Sequence, residues 1–202
     1  MLEVSELECT RGDRVLFRGL SFELAPGRLL HLQGANGSGK TTLLRALCGL
    51  SQPAAGEIRW DGRSIREQPD TYRALLCYIG HGNAIHGDLT PVENLLFEAC
   101  LGTEDCIEAK PALESLGLGR VANLPAKLLS QGQKRRVALA RLTVLQRALW
   151  VLDEPFTALD VRAVDRLLAT IARHLDRGGL CILTSHQEVA VADWQVRTLT
   201  LG

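Results

Sequence analysis

Nine consecutive residues, Gly34-Ala35-Asn36-Gly37-Ser38-Gly39-Lys40-Thr41-Thr42, restrict this chain more than any other stretch. They fit G-x-x-x-x-G-K-[ST], a loop whose backbone wraps phosphate groups. Residues 28–33 upstream read as a short buried strand, and Leu43, Leu44, Ala46, Leu47 and Leu50 downstream recur at helical spacing. Strand, glycine loop and helix, in that order, are the setting the motif needs. Glycines let the N–H groups turn inward on phosphate oxygens, and the helix N-terminus adds the positive end of its dipole. Lys40 is expected to reach the β- and γ-phosphates, and the Thr41 hydroxyl to ligate Mg²⁺. The implied ligand is a nucleoside triphosphate.

The rest of the chain alternates strands and helices. Residues 2–8 and about 15–24 alternate as antiparallel strands around the turn Arg11-Gly12-Asp13, and Pro26-Gly27 makes the next turn. Short apolar strands are expected at 57–60, 75–79, 149–152, 180–184 and 198–201. From His81 to Leu145 the spacing is helical, with a helix starting near Thr90-Pro91, a second over about 107–116 and a third over 131–145. A helix over 161–175 and a short one after Ser185 complete the reading. Strands alternating with helices imply an α/β fold with a mostly parallel sheet covered on both faces. The organisation expected is one domain over 1–202, a core of 1–85 and 146–202, and a helical subdomain at 86–145.

Further candidate residues fall at element ends. The run Ala148–Leu152 ends in Asp153-Glu154, and a carboxylate at the C-terminal end of a parallel strand faces the ligand crevice. Asp153 is expected to hold Mg²⁺ through water, and Glu154 to act as general base on the attacking water. Leu129-Ser130-Gln131-Gly132-Gln133 opens the third helix. By itself that segment is a serine-capped helix start.

Taken together, LSQGQ, the phosphate loop, LDEP, Ala158-Leu159-Asp160 and the strand-end His186 resemble the nucleotide-binding domain of ABC transporters over about residues 2–201. The resemblance implies a P-loop NTPase of the ABC nucleotide-binding type, with an antiparallel β part at the N-terminus. It implies ATP hydrolysis with Mg²⁺, and a second copy of the chain paired head to tail. Ser130, Gly132 and Gln133 would contact the γ-phosphate of ATP held by that copy, and Asp160 would lie at the interface. His186 would contact the γ-phosphate and the water. More narrowly, GEIRWDG, Y-I-G-H, RRVALARL, LWVLDEPFTALD and T-S-H-Q resemble the ATP-binding subunits of the bacterial cytochrome c maturation system, the haem exporters. That implies a peripheral position on the cytoplasmic face of the inner membrane and an integral-membrane partner docked beside His81 and residues 82–98.

Two positions depart from the family. Cys9-Thr10-Arg11-Gly12 holds no aromatic residue to stack on adenine, which leaves the Arg11 guanidinium or Phe17 for that task. His81 stands where the family has glutamine; a histidine can also donate or accept a hydrogen bond there.

Composition excludes more than it assigns. Lys+Arg and Asp+Glu are both 23, giving a net charge of zero and no basic excess for nucleic acid. The sequence has no apolar run long enough to span a bilayer and no signal-peptide pattern after Met1. The six cysteines form no C-x-x-C pair, and buried thiols are expected rather than disulfides or a metal site. The scattered histidines argue against direct haem binding. A soluble ABC-type ATPase acting on ribosomes or nucleic acid is the alternative; it usually joins two such domains or carries long basic insertions, both missing here.

Overall fold

The computed structural model describes residues 1–101, 108–185, 189, 191–192 and 195–202. Two sheets meet across one helix. The first is antiparallel and contains β1 (Leu2–Arg11), β2 (Arg14–Leu24), β4 (Ala55–Trp60) and β5 (Arg63–Ser64), in the order β2-β1-β4-β5. The second is entirely parallel and contains β3 (Leu29–Gly34), β6 (Leu76–Ile79), β7 (Leu149–Leu152), β8 (Leu180–Thr184) and β9 (Val196–Leu201), in the order β6-β7-β8-β3-β9. Every residue of β7 and β8 is buried, so these strands read as continuous apolar runs rather than alternating ones.

Helix α1 (Lys40–Leu47) lies between the sheets. Its Leu43, Leu44, Ala46 and Leu47 join side chains of both sheets in one apolar cluster. On the opposite face of the parallel sheet, α5 (Gln131–Val144) and α6 (Val161–Asp176) cover Trp150, Leu152, Cys181 and Leu183. A third cluster belongs to α3 (Pro91–Leu101), α4 (Ala109–Ser115) and the first half of α5, around Leu95, Leu113, Leu118 and Val137. Cys9, Cys48, Cys77 and Cys181 are buried thiols, and burial pushes the Cys48 thiol up to about 12.

Several boundaries differ from the sequence reading. β1 runs on to Arg11 because its pairing with β2 continues through Cys9–Phe17, Thr10–Val15 and Arg11–Arg14. α1 stops at Leu47, not Leu50. Gly49 takes φ +66°, its N–H donates to Ala46 O at 2.9 Å, and the Leu50 N–H donates to Arg45 O at 2.9 Å, closing the helix end and turning Leu50 outward. Residues 81–89 form a loop rather than helix, and α3 begins at Pro91 under a reciprocal cap between Thr90 and Glu93. Neither α2 (Pro69–Arg73) nor β5 carries a periodic signal, because both are too short to show a period. The start of the second expected helix and the helix after Ser185 lie outside the described residues.

Where β4 crosses β1, the sheet needs a glycine. Glu6 in β1 takes φ +48° at an irregularity in the ladder, and Gly56 opposite takes φ +85°. A side chain at Gly56 would place its Cβ 2.4 Å from Glu6 O and 2.5 Å from Ser5 O. Gly56→Ala should therefore lower folding stability by about 2–3 kcal/mol, read as a shifted urea midpoint with an unchanged slope.

Candidate functional site

The phosphate loop runs from the end of β3 into α1, and its conformation depends on glycine. Gly34, Gly37 and Gly39 take φ of +148°, +82° and +101°. At Gly34 a Cβ would sit 2.4 Å from Leu201 O and 2.6 Å from Ser38 Oγ, so this glycine is required by space as well as by angle. Lys40 Nζ donates to Gly34 O at 2.7 Å and to Ala35 O at 3.1 Å, which draws the ammonium across the loop. Among the described residues no side chain caps α1, and the buried Ser38 Oγ has no hydrogen-bond partner. First-turn N–H groups have no acceptor within their own helix. The open helix end and the orphaned hydroxyl together suit an anion with several oxygens.

Asp153 and Glu154 follow β7 at the same end of the sheet. Asp153 is 4% exposed and receives two hydroxyls: Thr41 Oγ1 donates to Oδ2 at 3.0 Å, and Thr184 Oγ1 donates to Oδ1 at 2.8 Å. Thr184 in turn accepts the Glu154 N–H at 2.9 Å. Glu154 takes φ +49°, a left-handed conformation that few non-glycine residues adopt. Thr41 and Asp153 present adjacent hard oxygens, the donor type that Mg²⁺ prefers.

These groups line one cleft of about 520 Å³. Its walls include Asn36, Gly37, Gly39, Lys40, Thr41, Thr42, His81, Asp153, Glu154 and Thr157, with Arg11 and Arg14 from the β1–β2 hairpin. His81 is exposed and lines the same cleft as the acidic pair. Of the two candidates for the base, Arg11 lines the cleft. Phe17 packs against the apolar cluster beneath the loop, where a Cβ at Gly39 would meet its ring at 3.2 Å.

Ser130, Gly132 and Gln133 do not line this cleft; they lie at the start of α5, with Ser130 exposed and Gly132 and Gln133 half-buried. Gln133 N–H donates to Ser130 Oγ at 3.2 Å, and Ser130 N–H donates to Gln133 Oε1 at 2.8 Å, a reciprocal cap. Gly132 also has a local duty, since its Cβ would lie 2.7 Å from Ala158 O in the segment after the acidic pair. Asp160 caps α6 by accepting the Ala163 N–H at 2.8 Å. His186 lies outside the described residues. Just before it, the buried His31 Nε2 donates to Ser185 O at 3.1 Å and fixes the end of β8.

Sequence reasoning missed Thr184 and Arg135. Thr184 is the only residue of β8 with a hydroxyl, placed at its last position, which is a weak but readable sign of polar work at a strand end. Arg135 sits in a basic run that resembles a solvated helix face, yet it is 4% exposed and bonds to five acceptors at the strand ends.

The chain is similar to known proteins over most or all of its length. The family described as "ABC transporter" matches residues 17–157. The cytochrome c biogenesis ATP-binding export protein CcmA of Dechloromonas aromatica (strain RCB) is 58% identical over 204 residues, covering 100% of both chains. The protein of the same name from Escherichia coli (strain K12) is 48% identical over 202 residues, covering 100% of this chain and 96% of its own. Among solved structures, an ATP-binding subunit of an ABC transporter superposes with a TM-score of 0.85 at 28% identity, over 100% of this chain and 85% of its own. The cassette MJ0796, solved as a post-hydrolysis dimer bound to ADP and Pi, shares the fold with a TM-score of 0.86 at 21% identity, over 100% of this chain and 94% of its own.

The threonine relay yields a direct test. Thr184→Val keeps the shape but removes the hydrogen bonds that its hydroxyl gives to Asp153 Oδ1 and accepts from the Glu154 N–H. It should destabilise the fold by about 1–3 kcal/mol in chemical denaturation, whereas Thr184→Ser should stay near the parent.

Proposed function

Because the chain belongs to the ABC transporter family of ATP-binding proteins, we propose that it hydrolyses ATP as the cytoplasmic subunit of a membrane complex in cytochrome c maturation. The observation that carries this reading is the single cleft in which the phosphate loop, the Asp153–Glu154 pair and His81 face one another. The full-length likeness to cytochrome c biogenesis export proteins supports the biological setting.

The assignment of roles follows the chemistry of each group. Gly34 to Thr42 wrap the phosphates, with Lys40 on the β- and γ-phosphates and the backbone N–H groups of Gly37, Ser38, Gly39 and Lys40 on their oxygens. Thr41 and Asp153 hold Mg²⁺, which when bound neutralises charge on the phosphates. Glu154 takes the proton of the attacking water, and His81 and His186 orient that water and the γ-phosphate. Arg11 offers the base a flat guanidinium in place of an aromatic ring.

Ser130, Gly132 and Gln133 complete the site of a second copy. The exposed Ser130 at a capped helix start, away from the chain's own cleft, supports head-to-tail pairing in which each ATP lies between two chains. No helix among the described residues is long and apolar enough to cross a membrane, so passage through one falls to an integral-membrane partner. The helical subdomain, residues 86–145, carries exposed Leu96, Phe97 and Leu101 on α3 next to the loop that follows His81. These residues suit the partner's docking helix. The chain then sits peripherally on the cytoplasmic face of the bacterial inner membrane, without binding nucleic acid or haem itself.

Replacing Glu154 with glutamine tests the reaction. The amide keeps shape and hydrogen bonds but accepts no proton, so hydrolysis should fall by about 10²–10⁴-fold while ATP stays bound and the chain accumulates as an ATP-dependent dimer. Parental turnover by Glu154→Gln would remove this carboxylate from the mechanism.

Pairing is tested by mixing. A Lys40→Ala chain combined with a Ser130→Arg chain concentrates both defects in one composite site and leaves the other intact. Mixed samples should close around ATP in size-exclusion chromatography where neither variant alone does. Identical behaviour of mixed and separate samples would exclude the head-to-tail arrangement.

A further inference from the structure

The three arginines of α5 do different work. Arg136 Nη1 donates to Leu116 O at 3.0 Å, and Arg141 Nη1 pairs with Glu98 at 3.0 Å, both within the helical part. Arg135 instead crosses to the parallel sheet. Its Nη1 donates to Gly80 O at 2.9 Å and Asn83 Oδ1 at 3.4 Å, beyond the end of β6. Its Nη2 donates to Asp153 O at 2.9 Å and Glu154 O at 2.8 Å, and its Nε to Pro155 O at 3.3 Å. A guanidinium has five N–H donors, and this one meets five acceptors.

Two features raise these bonds above ordinary stability. Arg135 is 4% exposed, and burial lowers the tendency of its guanidinium to stay charged, opposed by the nearby Asp153 charge. A buried cation is a costly way to satisfy carbonyls unless their exact relative position matters. The peptide units it holds are also the ones that aim the site. Glu154 stays at φ +49° with its N–H on Thr184 and its C=O on Arg135, and Gly80 immediately precedes His81.

We propose that Arg135 is a positioning residue of the ATPase reaction, through which the placement of α5 sets the direction of the Glu154 carboxylate and holds the turn that presents His81. This inference rests on the reading of Glu154 as general base. It links two parts of the same chain: α5 starts with the Ser130 cap that faces a second copy, and one turn later Arg135 grips the strand ends that carry the acidic pair. Movement of α5 on pairing is then felt at Glu154 without any change in the phosphate loop.

The test is steady-state and single-turnover ATP hydrolysis by the full chain carrying Arg135→Gln, Arg135→Lys, Glu154→Gln, or Arg135→Gln with Glu154→Gln. Arg135→Gln should lower kcat by about 30–100-fold, because a misplaced reacting group loses rate steeply. Its KM for ATP should change by less than about threefold, since the groups that wrap the phosphates are untouched. Arg135→Lys keeps the charge but has one nitrogen for acceptors on two strand ends, and should remain at least about tenfold slow with near-parental KM. It decides the matter alone if Arg135→Gln does not fold. Added to Glu154→Gln, the Arg135→Gln change should cost less than about a further twofold in single-turnover rate, as the group it positions is already gone.

A folded Arg135 variant with kcat within about threefold of the parent, or one altered only in KM, would overturn the proposal. So would losses that multiply in the double variant. If Glu154→Gln itself turns over normally, the base assignment fails first; if only the Arg135 variants are normal, the positioning role fails and the base assignment stands.

Discussion

Asp153 holds the site together by accepting two hydroxyls at once. Thr41 Oγ1 reaches one of its oxygens from the first turn of α1 at 3.0 Å, and Thr184 Oγ1 reaches the other from the end of β8 at 2.8 Å. The phosphate loop, the acidic strand end and the neighbouring strand are therefore tied through a single buried carboxylate. Charge-assisted hydrogen bonds of this kind are stronger than neutral ones, and each would be costly to leave unmade in the interior. Parallel pairing of β7 with both β6 and β8 places all three strand ends on the same edge, so one side chain there can serve elements far apart in sequence.

The glycines act on the same principle from the backbone side. Gly34 admits Leu201 O and Ser38 Oγ where a side chain would stand, locking the phosphate loop against the last strand. Gly132 admits Ala158 O in the same way, so the start of α5 lies directly against the segment that leads from Glu154 to the Asp160 cap. A glycine within the LSQGQ segment thus has a structural reason inside one chain before any second chain is considered. The two kinds of constraint are separable: Gly132 sets an approach, whereas Ser130 and Gln133, bonded to each other, present a helix end.

The parts legible in the sequence were those whose chemistry is local. The phosphate loop declares itself because left-handed backbone demands glycine at fixed spacing, and the following lysine and threonine occupy the next helical positions. The buried strand before Asp153 is an uninterrupted apolar run, and the caps at Thr90, Ser130 and Asp160 sit three residues before the groups they bond. What stayed hidden depends on contacts across the fold. Arg135 lies in a run of three basic residues, 134–136, and no local pattern says which one turns inward. The end of α1 was misjudged because Leu50 fits the helical period, while Gly49 and its carbonyl partners decide otherwise. α2 is five residues long, too short for periodicity to speak, and is held by Tyr72, whose hydroxyl donates to Leu47 O at 2.6 Å.

Composition was silent about the ligand for a related reason. The charged residues lining the cleft are Arg11, Arg14 and Lys40 against Asp153 and Glu154, a nearly balanced set within a chain of zero net charge. Such a balance gives little long-range attraction for a polyphosphate. Attraction must therefore come from short-range, oriented groups: the uncapped N-terminus of α1, the loop amides freed by glycine, and an ammonium held at the loop mouth by two carbonyls. The same balance matters after binding. Two carboxylates close to the phosphates oppose them electrostatically unless a cation lies between, which is where the Thr41–Asp153 oxygens would hold Mg²⁺. Glu154 is left as the carboxylate not committed to that pair, held at its backbone by Thr184 and Arg135. Glu154 follows Asp153 directly, and its φ of +49° marks a strained backbone at this strand end.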